Sequence, residues 1–208
     1  MKTRELILHH ALQLFNERGS DATTVRDVAQ AVGISHGNLC YHFPNTDALI
    51  AALYHQLVEE LNAEVEAAAA RPAEAFSPSV ALASLSASFR MLYTYRFLLL
   101  DFVRIMRRIP ALRVHYRELT RLRRSQFLGI LAQLVEGGWM HPPIYPGQFE
   151  DWVEQATLIG DFWIASGEIL YEGAEADKIS HYARLFATTL VPMLTQRGQE
   201  DMNVGRRD

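Results

Sequence analysis

The chain has one cysteine, Cys40, in 208 residues. An intramolecular disulfide framework is therefore impossible, as is any metal site built from clustered cysteines. The same scarcity suits a reducing compartment and sets the expectation of a cytoplasmic protein. Long hydrophobic runs are also missing, and no window approaches 18 uninterrupted apolar residues, so no membrane-spanning helix is expected. The opening MKTRELILHHAL has neither the apolar core nor the small-residue cleavage site of a signal peptide. Strong charge of one sign is absent too, with a net charge of −4. That argues against a general nucleic-acid binder. The signatures G-x-S-x-G, H-E-x-x-H, the P-loop and G-x-G-x-x-G do not occur. Serines, histidines and acids show no diagnostic spacing, so no catalytic residue, metal or cofactor is assigned. These absences leave an enzyme as the least favoured reading.

What is present is helical periodicity, clearest from Thr24 to Phe43, TVRDVAQAVGISHGNLCYHF. Thr24 is placed to cap a helix, with Asp27 three residues on in the capping-box position. Val25, Val28, Ala29 and Val32 follow at i, i+3, i+4 and i+7, one apolar helical face. Gly33 comes next, where a helix end favours the left-handed conformation. Ile34 would plug a core and Ser35 would cap a second helix. Helix, glycine turn, helix is the helix-turn-helix pattern, whose second helix can enter the major groove of DNA. Leu39 and Phe43 read as its inward face. On its outward face, Asn38 can bond adenine bidentately, Ser35 can meet a base or phosphate, and His36 a phosphate or purine. Backbone amides near Pro44–Asp47, at the start of the next helix, are a further place for a phosphate.

With its flanks, ALQLFNERGSDATTVRDVAQAVGISHGNLCYHFPNTDALIAAL resembles the N-terminal domain of TetR-family transcriptional regulators. The matches are Ala11, Leu14, Phe15, Gly19, Thr24, Asp27, Val28, Ala29, Val32, Gly33, Ser35, Gly37, Leu39, His42, Phe43, Asp47 and Leu49. They cover roughly the first quarter of the chain. The resemblance implies a DNA-facing set of Thr24, Arg26, Ser35, His36, Gly37, Asn38, Cys40, Tyr41, His42 and Thr46. Two of these depart from the family, which commonly carries Tyr at the position of Cys40 and Lys at that of Thr46. Both family residues contact the phosphate backbone. Losing a phosphate-facing lysine flattens the salt dependence of binding by about one counterion.

The expected fold is all-α with about nine helices. Residues 1–46 form a three-helix helix-turn-helix domain, 47–200 a larger ligand-binding and dimerisation domain, and 201–208 a disordered tail. Helices are expected over 3–18, over the two reading elements, and over 46–70, 79–95, 97–108 and 110–135. Two more follow after a WMHPPIYPG loop. RPAEAFSPS at 71–79 reads as a loop or boundary. Pro192 should kink or loosen the last helix.

Charge is distributed against expectation. The first fifty residues hold Lys2, Arg4, Arg18 and Arg26 against Glu5, Glu17, Asp21, Asp27 and Asp47. Residues 90–124 hold ten arginines against Asp101 and Glu118. Solvated faces paired with acids elsewhere, a DNA-backbone attraction, or an anionic ligand would each account for it.

In the middle region Phe89, Tyr93, Phe102, Arg104, His115, Tyr116 and Phe127 can line an apolar pocket with a few polar handles or form plain core. The resemblance favours a pocket for a small-molecule effector, hydrophobic or aromatic in character. In the last two helices Trp152, Ala156, Gly160, Trp163 and Gly167 share one face, and Tyr182, Phe186 and Leu190 another. These stripes are expected to pair with a second subunit as a four-helix dimer interface, the alternative being internal core. The reading is a homodimeric DNA-binding regulator, a repressor released by its effector. The alternative is a ligand-binding or protein-interaction module on the same fold with weakened DNA contact. Its partners would be a double-stranded DNA operator, a second copy of itself and the effector, with no membrane.

Overall fold

A computed structural model describes residues 2–69 and 76–204 of the chain. Among these residues it is all-α, with one isolated bridge between Met140 and Leu194. The helices are α1 Thr3–Arg18, α2 Val25–Val32, α3 His36–His42, α4 Thr46–Ala69, α5 Pro78–Thr94 and α6 Arg96–Leu100. They continue as α7 Phe102–Arg108, α8 Pro110–Glu136, α9 Gln148–Leu170, α10 Glu175–Thr188 and α11 Gln196–Val204. No described helix is long and apolar enough to cross a membrane.

Eleven described helices stand where about nine were expected. The apolar run over 97–108 is divided at Asp101, whose backbone leaves the helical basin at φ −100°, ψ 14° while its carboxylate accepts a hydrogen bond from Ser20. The expected tail supplies the other helix. Residues 201–204, the start of the expected tail, are helical within α11. Three contacts hold α11: the Arg197 guanidinium lies 3.5 Å from the centre of the Trp139 ring, Met202 is buried, and Asp201 accepts from the Ser79 amide at 2.7 Å. Residues 205–208 lie outside the described residues, as do 70–75 of the expected loop. Pro192 acts as its ring dictates. α10 stops at Thr188, and Pro192 sits in a 3-10 turn, Val191–Met193.

The chain divides into two compact units, Met1–Glu60 with Thr94–His115, and Leu61–Tyr93 with Tyr116–Asp208. In the first, the buried side chains are Ile7, Leu8, Ala11, Leu14 and Phe15 of α1, Val28 and Ala29 of α2, Leu39 of α3, and Leu49, Ile50 and Leu53 of α4, and α1 packs against α2. Phe97 of α6 meets Phe15 at 5.0 Å between ring centres. Asn16 ties α1 to the same segment, donating to the Thr94 carbonyl at 2.8 Å and accepting from the Phe97 amide at 3.1 Å. Tyr95, fully buried, donates to Glu60 at 2.6 Å.

The second unit is organised by aromatic rings. Trp163 of α9 stacks on Phe89 of α5 at 4.9 Å and meets Tyr182 of α10 at 5.5 Å. Phe186 sits edge-on to both Phe89 and Trp152. Such pairs add about 0.5–1.5 kcal/mol each beyond the area they bury. Gly167 lets the Tyr182 ring approach α9, where an added Cβ would meet that ring at 3.0 Å.

Candidate nucleic-acid interface

Each turn of the reading motif is held by the group the sequence places there. The Thr24 hydroxyl accepts from the Asp27 amide at 3.3 Å, and Asp27 accepts from the Thr24 amide at 2.7 Å. This reciprocal box, led by the Thr24 hydroxyl, holds the Asp27 carboxyl below its usual range. Gly33 adopts φ 78°, ψ 30°, and Ile34 donates back to the Ala29 carbonyl at 3.0 Å, closing α2. Ser35 caps α3 by accepting from the Asn38 amide at 3.2 Å.

α3 buries Leu39, and Phe43 behind it, as expected. Ser35, His36, Gly37 and Asn38 are exposed on its first turn. Tyr41 is 86% exposed, an aromatic ring offered to solvent with no core role. Thr24 and Arg26 are exposed at the start of α2, and His42 and Thr46 are half-buried. Cys40 is also half-buried, its Sγ 3.4 Å from His36 Nε2 one turn earlier. At the start of α4, Asn45 already caps the Ala48 amide at 2.9 Å, so that donor is not offered to a phosphate.

Ion pairs surround this motif, and those that reach Asp21 and Asp47 are announced by no local pattern. Arg104 of α7 pairs with Asp21, in the turn before α2, and with Asp101 at 2.5 Å. The Asp101 hydrogen bond holds its guanidinium above the ordinary arginine range. Arg108, one turn on, reaches Asp21 at 3.2 Å and Asp47, at the start of α4, at 2.6 Å. The trace of this network in the sequence is the acid excess of the first fifty residues and the arginine excess of 90–124. Composition does not say which acid meets which arginine.

Of the seven residues expected to line an effector pocket, three belong to the first unit and four to the second. Arg104 is engaged with acids in the first unit, and His115 there lies 3.0 Å from the Tyr54 hydroxyl, which burial pushes up to about 12. Phe102 is half-buried in that unit. In the second unit Phe89 and Tyr93 stack on Trp163, and Phe127 meets Trp152 edge-on. Tyr116 donates to Asp161 at 2.5 Å; burial pushes the Asp161 carboxyl up, and the Tyr116 bond opposes that shift. A groove of about 710 Å³ runs between α5 and α10, with Arg90, Arg184 and three serines on its walls, and none of the seven lines it.

The stripe expected to pair with a second subunit is largely covered by its own chain. Trp152, Ala156, Trp163, Gly167 and Phe186 are buried within the single chain, and Gly160, Tyr182 and Leu190 are half-buried. The ring partners of Trp163, Trp152 and Phe186 are Phe89 of α5, Phe127 of α8 and one another. A second apolar set is exposed: Leu158 (61%), Phe162 (43%) and Ile169 (81%) on α9, and Leu185 (44%) on α10.

Residues 7–53 match the family profile described as bacterial regulatory proteins, tetR family, and residues 56–202 that described as bacterial transcriptional repressor. The HTH-type transcriptional repressor KstR2 of Rhodococcus jostii is 40% identical over 58 residues, 28% of each chain. The first such relatives are thus matched over less than a third of their own length. KstR2 of Mycobacterium tuberculosis is 25% identical over 166 residues, 77% of this chain and 80% of that protein. Among solved structures, a TetR-family regulator from Marinobacter aquaeolei VT8 superposes with a TM-score of 0.87 at 26% identity, covering 100% of this chain and 98% of that one. With profiles of both its segments spanning nearly the whole sequence, the chain belongs to the TetR family of bacterial transcriptional regulators.

Proposed function

We propose that the protein is a homodimeric, DNA-binding transcriptional repressor released by a small-molecule effector. The observation that carries this is the reading motif itself. Its caps are closed, its apolar side is buried, and Ser35, His36, Asn38 and Tyr41 stand outward from α3. Thr24, Arg26, Gly37, Cys40, His42 and Thr46 complete the set offered to DNA. Residues 1–46 serve as the reading module and 47–200 as the regulatory part. Asn38 and Ser35 read base edges, and the residues around them meet phosphates.

Dimerisation uses the outward set Leu158, Phe162, Ile169 and Leu185, because exposed apolar side chains sharing helix faces mark an interaction surface. A two-fold dimer would place two α3 helices about 34–36 Å apart, one turn of duplex. The effector is hydrophobic or aromatic and acts on the second unit. There the buried Trp163 indole N–H has no acceptor among the described residues and offers a polar handle within an aromatic wall. The effector releases DNA only to the extent that it prefers the state whose heads do not fit the operator.

The test is fluorescence anisotropy with duplexes taken from immediately upstream of the gene, over a salt series, against a scrambled duplex. Expected is preferential binding to one upstream duplex, by a dimer, weakening as salt rises. Equal binding to both duplexes at every salt concentration would overturn the repressor reading. A second reading, a binding module on this fold with weakened DNA contact, draws on Cys40 and Thr46. Restoring C40Y and T46K and regaining discrimination would favour it.

A further inference from the structure

The reading head is short of positive charge, and α7 compensates for it. Asp21 lies three residues before Thr24, the cap of α2, and Asp47 directly follows Thr46 at the start of α4. Both acids therefore stand at helix N-terminal corners, whose backbone dipoles would otherwise favour phosphate. A carboxylate there opposes that attraction. Such repulsion reaches every phosphate within about a Debye length and weakens as salt rises. Both acids are occupied by arginines, and Arg108 touches the two of them at once. The pairs form a continuous chain, Asp101–Arg104–Asp21–Arg108–Asp47, closed at one end by the Ser20 hydroxyl on Asp101 at 2.8 Å. Their side chains are 38–51% exposed except for Asp101, so they add little to folding stability. Charge at the surface is what they change.

We propose that Arg104 and Arg108 are charge shields for the reading head. Docked on Asp21 and Asp47, they make the corners of α2 and α4 receptive to DNA phosphates. When α7 lifts away, two bare carboxylates face the duplex and affinity falls without any change in the residues that read bases. DNA affinity is thereby tied to a helix some sixty residues downstream of the motif, in the segment that leads directly into α8. This rests on the repressor reading for its biological use, but the shield acts on phosphates of any sequence.

The experiment compares full-length wild type, R104Q/R108Q, D21N/D47N and the quadruple variant on the upstream and scrambled duplexes, with thermal unfolding as a check on folding. The arginine double variant should bind about tenfold more weakly at ~50 mM salt, the deficit shrinking as salt rises. D21N/D47N should bind as tightly as wild type or more so, and the quadruple variant should return to within about twofold of wild type. Melting temperatures should change little, because the pairs are exposed.

Two results overturn the proposal. One is an arginine double variant that binds like wild type. The other is a quadruple variant no better than the arginine double, with a salt slope reduced by roughly 0.9 per lost contact, which would make the arginines direct phosphate ligands. The same ordering of variants on both duplexes, without preference for the upstream one, supports the shield while refuting sequence-specific repression. Wild type that binds neither duplex at ~50 mM salt refutes both.

Discussion

The reading motif and the α9–α10 hairpin are both periodic in sequence, yet only in the motif do local groups also fix which way the apolar side turns. In the motif every boundary has a local cause: Thr24 and Asp27 at one end, Gly33 between the helices, Ser35 at the next start. These groups act over three or four residues, so the sequence window contains the whole interaction. In the hairpin the apolar stripe through Trp152, Ala156, Trp163 and Phe186 is real, but its partners lie far away in sequence, on α5 and α8. Periodicity reports that a face is covered. It carries no information on whether the cover is the same chain or a second copy.

Substitutions can test this contrast, beginning with the largest effect. W163A removes the ring that stacks on Phe89, Tyr93 and Tyr182. It should cost about 3–5 kcal/mol in chemical denaturation, as expected for internal core. If the stripe were instead a subunit interface, the loss would depend on protein concentration, which a dilution series would reveal.

Next comes I169E on the outward set, with Leu158, Phe162 and Leu185 left in place. It should shift the protein towards monomer in analytical ultracentrifugation while the far-UV helical signal stays unchanged. Loss of the helical signal, rather than of the dimer, would mean that this face too belongs to the fold.

T24A tests the local side of the contrast. Removing the cap should cost about 1 kcal/mol, and T24S should recover most of it. Faster amide exchange confined to α2 would show that the cap acts where it sits.

The smallest effect belongs to Asp161, whose folded pKa is raised by burial. A carboxyl with a raised folded pKa favours the fold while neutral, below its unfolded value near 3.8, and loses that contribution as pH rises through the folded pKa. D161N should therefore raise the melting temperature at pH 7 by about one to two degrees and give no gain below about pH 4. A gain unchanged at pH 4 would argue against the burial penalty.

Legibility followed the range of each interaction. Local signals marked α1 through α4, the end imposed by Pro192, and the inward placement of Leu39 and Phe43. Asp101 concealed a division of one apolar run, because its carboxylate is drawn to Ser20 and Arg104 instead of serving the helix. The polar composition of residues 196–204 concealed α11, whose anchors are Trp139 and Ser79. The arginine excess over 90–124 was visible, but nothing local directs Arg108 to Asp21 and Asp47.

Sequence by itself determined the helix-turn-helix and its family, because caps, a left-handed glycine and a 3.6-residue apolar period are properties of neighbouring residues. Tertiary structure alone decided that Trp152 and Trp163 meet rings of α5 and α8 and that arginines of α7 pair with acids beside the reading motif. Those outcomes depend on which distant surfaces meet, and burial and ion pairing are satisfied by proximity in space, whatever the separation along the chain.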